Sequence, residues 1–236
     1  MVLNDFDPKE YGIQENYLYE ILATTFSDQE NLTPNTSCMG MRLIENNLIQ
    51  IKPFPHTTTF KNLKTTGIIV LNFVEDVYLY ALAALKSSKN NIKFPSKHYN
   101  YNKLENPFNT SINGSKMTIP YISKAWATIT CIIAGENQVI KKDPMGEFEI
   151  SEFKLHVIDH DILKNSFKLF NRTENLALES IILATRLRIA KEKSNETLFD
   201  DIHDAINNNF QNIERFGNNK SALKAVKVIK IFIENL

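Results

Sequence analysis

The run His56-Thr57-Thr58-Thr59, followed by Lys61 and Asn62, sets hydroxyls, an amide and a positive charge within a few positions of one another. At the start of a helix these residue types suit one chemistry. First-turn N–H groups have no intrahelical partner, and with hydroxyls and a cation beside them they bind an anion such as a phosphate. Threonines ahead of a helix also serve as ordinary caps, and the residues alone fit either role. A second candidate is Asn35-Thr36-Ser37-Cys38-Met39-Gly40, where small and sulfur-containing residues let backbone amides approach a flat ring closely. A ligand carrying both a phosphate and a ring would use both stretches.

Other chemistries find little support. The seven glycines are ungrouped, so neither a dinucleotide-binding fingerprint nor a P-loop is available. No C-x-x-C, H-E-x-x-H or G-x-S-x-G occurs. His156 and His160 fall on one strand face near Asp159 and Asp161, but strand residues four apart chelate one ion poorly, and no metal site is expected. Lys and Arg balance Asp and Glu at 27 each, which argues against a nucleic-acid-binding face. No apolar run is long enough to span a membrane and the N-terminus lacks signal-peptide order. With two distant cysteines, Cys38 and Cys131, a reduced cytoplasmic protein is the simple reading.

The elements that would position the two candidate stretches follow from pattern. Residues 1–15 read as a loose, polar lead-in. Tyr17 to Thr25 is rich in aromatic and β-branched residues and predicts a strand. Asn35–Ile44 and Leu48–Lys52 predict a hairpin across Glu45-Asn46-Asn47, where Asn tolerates positive φ. Pro53-Phe54-Pro55 ends that strand, because proline removes backbone donors. A short helix from Thr59 to Thr66, closed by Gly67, and a strand from Ile68 to Phe73 follow. Asp76 caps a helix to about Lys86. Residues 87–118 are polar and lack periodicity; they read as an irregular surface excursion, or as a loop whose aromatics cover a ligand. Lys124–Ala134 and Glu147–Ile158 predict antiparallel strands. From Asn171 the period becomes helical, with an N-x-x-E cap and helices to about Lys193, over Glu196–Ile213 and over Lys220–Glu234.

These residues also carry a resemblance. N-x-x-x-M-G at Asn35–Gly40, K-P-F-x-x-T-x-T-F-x-N-L at Lys52–Leu63 and T-G-x-x-V-x-N at Thr66–Asn72 are similar to flavin-reductase-like FMN-binding split barrels. The later residues Asn171-Arg172, Ala177, Glu179 and Ala184-Thr185-Arg186-Leu187, with Ala125-Trp126-Ala127 before them, narrow this to a mainly archaeal family whose barrel carries a helical C-terminal extension. The resemblance covers roughly Tyr17 to Leu236. It implies an α+β, mainly β-barrel fold: a flavin-binding split barrel over 1–165, containing the long loop, and an α-helical cap over 166–236. It further implies a homodimer holding FMN non-covalently, with NADH or NADPH as a transient donor and a small-molecule acceptor.

Carried onto this sequence, the phosphate would lie near Thr57, Thr59, Lys61 and Asn62, and Pro53 and His56 would be among the cofactor-binding residues, His56 at a position that varies among relatives. The ring would lie along Asn35, Thr36, Ser37, Cys38 and Met39. Ser37-Cys38 departs from the Ala-Pro of the family pattern and loosens the ring-binding backbone. Arg172 either reaches the phosphate or a substrate anion, or pairs with acidic neighbours to lock the helices. The expected function is an FMN-dependent oxidoreductase. A flavin carrier or sensor without turnover, and a structural dimer with a decayed site, are the alternatives.

Overall fold

The computed structural model describes residues 5–28, 30–87, 91–108, 116–143, 146–166, 171–216 and 219–236. By internal contacts the chain divides into two compact units, residues 1–74 with 96–166, and residues 75–95 with 167–236.

The first unit is built on a closed antiparallel barrel of six strands. These are β1 (Tyr19–Phe26), β2 (Pro34–Ile44), β3 (Leu48–Ile51), β4 (Ile68–Phe73), β7 (Ala127–Asp143) and β8 (Gly146–Ile162), in the order β1-β2-β3-β8-β7-β4. Alternation along the strands fills the interior with Ile21, Ala23, Met41, Ile49, Leu71, Ile129 and Phe153, each at most 1% exposed. β4 is buried along its whole length, which its apolar sequence, interrupted at Asn72, anticipates. The connection from β2 to β3 is a short 3-10 turn with Asn47 at φ 56, as the hairpin chemistry requires.

Two stretches differ from the sequence reading. The lead-in is not loose: Asp7 caps a 3-10 turn, and Phe6, Tyr11 and Ile13 enter the barrel core. Their irregular spacing has no period, so their burial leaves no pattern to read. The expected long loop contains a two-stranded sheet, β5 (Tyr99–Glu105) with β6 (Lys116–Ile122). Met117 and Ile119 of β6 cover Phe26, Ile68 and Val70 on the outer surface of β1 and β4.

The barrel is uneven. β3 pairs with β2 only over Met41–Ile44, while β1 pairs with β2 from Tyr19↔Met41 to Phe26↔Pro34. Among the described residues, then, one edge of β2 over 34–40 has no strand against it. β8 likewise meets β3 only from Phe153 to Leu155. The barrel opens there, and β7 and β8 continue beyond it as a two-stranded ribbon, paired only with each other from Asn137↔Glu152 to Asp143↔Gly146.

The second unit is helical: α2 (Val77–Ala84), α3 (Arg172–Glu192), α4 (Glu196–Phe216) and α5 (Lys220–Glu234). It thus takes in α2, from a stretch that the sequence reading assigned to the barrel portion. Asp76, Asn171 and Asn219 cap their helices as side-chain acceptors. Asp76 also accepts from the Ser221 hydroxyl at the start of α5.

Candidate functional site

α1 (Thr58–Thr66) follows β3 and starts beside the open edge of β2. Its beginning is set by the sequence before it. Pro53 is buried, and Thr57 turns the chain by bonding the Phe54 carbonyl through both its hydroxyl, at 2.7 Å, and its N–H, at 3.0 Å. The same hydroxyl accepts from Phe60 N–H at 3.3 Å and so serves as the cap. Among the described residues nothing accepts from the N–H groups of Thr58 and Thr59. No acidic residue stands in the first turn, and Lys61 is exposed there without an ion pair among the described residues. Gly67, at φ 68, closes the helix with its N–H on the Leu63 carbonyl.

The two candidate stretches meet at Thr59. Its hydroxyl is the acceptor for the Asn35 amide at 3.1 Å and lies 2.9 Å from the Ser37 hydroxyl. Thr59 is 2% exposed. Asn35 and Ser37 share the face of β2 that continues into the core as Met39 and Met41. Three polar side chains therefore converge where a helix start adjoins an unpaired strand edge, and the local charge is positive. Chemically this arrangement can hold an anion at the helix and a planar group along the strand.

The other expected residues divide as follows. Thr36 and Cys38 point to the opposite face of β2. Thr36 meets Thr24 and Tyr99, and the Cys38 thiol donates to the Glu20 carboxylate at 3.5 Å. Burial, with the Glu20 charge second, pushes the Cys38 thiol well above its ordinary pKa, so it is protonated at neutral pH. Asn62 is buried and gives its amide to the Thr25 hydroxyl at 3.2 Å. His56 is exposed, its ring 6.1 Å from that of Phe54. Arg172 is exposed at the first position of α3 in the helical unit.

Among the described residues no group of three His, Cys, Asp or Glu side chains is placed to hold a metal ion, and His156 and His160 lie opposite Ile132 and Ile129 across an irregularity in the β7–β8 ladder. His160 bonds the Tyr11 hydroxyl through Nδ1 at 2.7 Å, with Asp5 3.6 Å from Nε2. Both cysteines are free. No helix among the described residues is long and apolar enough to cross a membrane.

Sequence reasoning missed Asn72 and Tyr99. Asn72 ends one of the quoted motifs; its amide serves the Leu22 and Val70 carbonyls and the Thr24 hydroxyl, and its oxygen accepts from Ile122 N–H at 2.7 Å. A polar residue within an otherwise apolar strand was the available signal. Tyr99 lay in a stretch read as irregular, and nothing in its neighbours marks it for burial.

Comparison with known proteins agrees with this architecture. The family described as "Protein of unknown function (DUF447) N-terminal domain" matches residues 19–158. The fold is similar to that of an FMN-bound protein of the DUF447 family from Methanosarcina mazei, with a TM-score of 0.66 and 16% identity over 98% of this chain and 100% of that one. Fainter likenesses, with TM-scores of 0.43 and 0.40, reach the flavin reductase HpaC complexed with NADP+ and a flavoredoxin of Desulfovibrio vulgaris. The first is 16% identical over 67% of this chain and 87% of that one. The second is 15% identical over 63% of this chain and 72% of that one. No curated protein matches.

Proposed function

The chain belongs to the DUF447 family, and from that premise we propose that it is an FMN-binding flavoprotein that works as an NAD(P)H-linked oxidoreductase. The observation that carries the reading is the convergence of Asn35, Ser37 and Thr59 at a helix start beside an open strand edge. The residues fit the cofactor's two ends. The N–H groups of Thr58 and Thr59, the Thr59 hydroxyl and Lys61 are donors for a phosphate. The backbone of β2 from Asn35 to Met39 offers an edge for the ring, which the β1 ladder supports from behind. The FMN-bound Methanosarcina mazei protein shares the fold over nearly the whole chain and supports the same reading.

FMN, when bound, would supply the redox chemistry that links a reduced nicotinamide to a second substrate. The chain's own residues bind it, orient it and limit water. No protein acid or base is required of them, which agrees with a Cys38 thiol that burial keeps protonated. A carrier or sensor would need the same binding residues, so turnover separates the two readings. The test is a visible absorption spectrum of the purified protein, recorded without oxygen before and after NADPH. Flavin bands that bleach support the oxidoreductase, and bands that persist favour the carrier. A colourless protein that ignores added FMN overturns both.

A further inference from the structure

Over residues 34–40, β2 has a ladder partner on one side only among the described residues, so side-chain bonds add to what β1 holds. A chain of buried hydrogen bonds lies there. Asn72 donates to the Thr24 hydroxyl at 3.1 Å, Thr24 and Thr36 hydroxyls lie 2.9 Å apart, and Thr36 and Tyr99 hydroxyls lie 3.0 Å apart. The Thr36 backbone bonds the Tyr99 oxygen as well. Thr24, Thr36 and Asn72 are fully buried and Tyr99 is 9% exposed. Asn72 anchors the far end on the Ile122 N–H of β6, and Tyr99 is the cross-strand partner of Ile122 on β5. The outer hairpin therefore grips β2 at Thr36 and grips β4 at Asn72.

We propose that Tyr99 is a positioning residue for the flavin-binding strand, holding Thr36 so that its neighbours Asn35 and Ser37 aim at Thr59. This role rests on the FMN reading of the site. Side chains alternate along a strand, so fixing Thr36 on the outer face sets the angle at which Asn35 and Ser37 leave the inner one. Bonds of 2.9 and 3.1 Å to a single hydroxyl leave little room for that angle to change. Without the Tyr99 hydroxyl, the buried Thr36 hydroxyl would lose one of its two hydroxyl partners, and the outer strands would lose that hold on β2.

The experiment compares Tyr99→Phe with the wild type in the full chain. It reads the FMN dissociation constant, the visible spectrum of the bound flavin, and thermal unfolding without FMN. Tyr99→Phe should fold, bind FMN about tenfold more weakly and shift the flavin bands. Tyr101→Phe, which removes an exposed hydroxyl two residues along, should change none of these. Thr36→Val reads the same link from its other end, including the case where Tyr99→Phe does not fold, and Thr36→Ser should restore wild-type binding. A Tyr99→Phe protein that melts earlier yet keeps wild-type affinity and spectrum overturns the role and leaves the cofactor reading standing. Wild-type protein that takes up no FMN overturns the cofactor reading and the role with it.

Discussion

Thr59 is where the two candidate stretches become one site, and its hydroxyl is the single oxygen shared by Asn35 and Ser37. If it positions a phosphate, the wild type should bind FMN far more tightly than riboflavin, which has the ring and lacks the phosphate. Thr59→Ala should weaken FMN about tenfold or more and leave riboflavin nearly unchanged, whereas Thr59→Ser should keep the preference. Equal losses for both ligands would place the phosphate elsewhere. Asn62, expected beside the phosphate, gives its amide to buried Thr25. Asn62→Ala should therefore cost about 1–3 kcal/mol of stability in denaturant unfolding, because a buried hydroxyl loses its partner. The types of Thr57, Thr59 and Lys61 suggested an anion site in the sequence, beside the plain capping role they also fit. Burial did not show there, and burial is what turns Asn62 and Tyr99 into supports.

At the scale of elements, the parts with local signals were legible. The helix from Thr58 to Thr66, its glycine stop and the cap residues Asp76 and Asn171 stand where their chemistry put them. Gly67 shows why: its φ of 68 suits glycine, and an added Cβ would meet the Phe108 ring at 3.0 Å. Gly67→Ala should lower stability by about 1–2 kcal/mol, checked by thermal melting. The β5–β6 sheet was not legible, because polar residues such as Asn100, Tyr101 and Asn102 face solvent and hide the alternation. Beyond the end of α2, burial holds Lys86 down to a pKa of about 8. The folded helical unit thus resists the charge that the unfolded chain accepts until about pH 10.4. Between those values the unfolded state binds more protons, so stability should rise with pH from about 8 towards 9.5. Lys86→Met should be more stable at pH 7 and flatten that rise, and an unchanged pH profile would contradict the assignment.

At the scale of the molecule, the barrel's closure and its opening have one cause. β3 is too short to pair with all of β2 or of β8, and the chain leaves it for α1 at that gap. The strands were readable one by one, but their relative lengths in the ladder were not, so the gap appears only in the fold. A single chain leaves the β2 edge and the β7–β8 ribbon without a strand partner among the described residues, and Ile140 on the ribbon is 76% exposed. This supports the expected homodimer, and light scattering should give twice the chain mass, whereas a monomer at every concentration would remove that expectation. The central claim is that FMN binds at the start of α1. The most direct measurement is an equilibrium titration of FMN fluorescence with the wild type and with Thr59→Ala. The wild type should quench FMN fluorescence saturably and stoichiometrically, and the curve for Thr59→Ala should shift to higher protein concentration. Fluorescence that stays unchanged, or two curves that coincide, would contradict that claim.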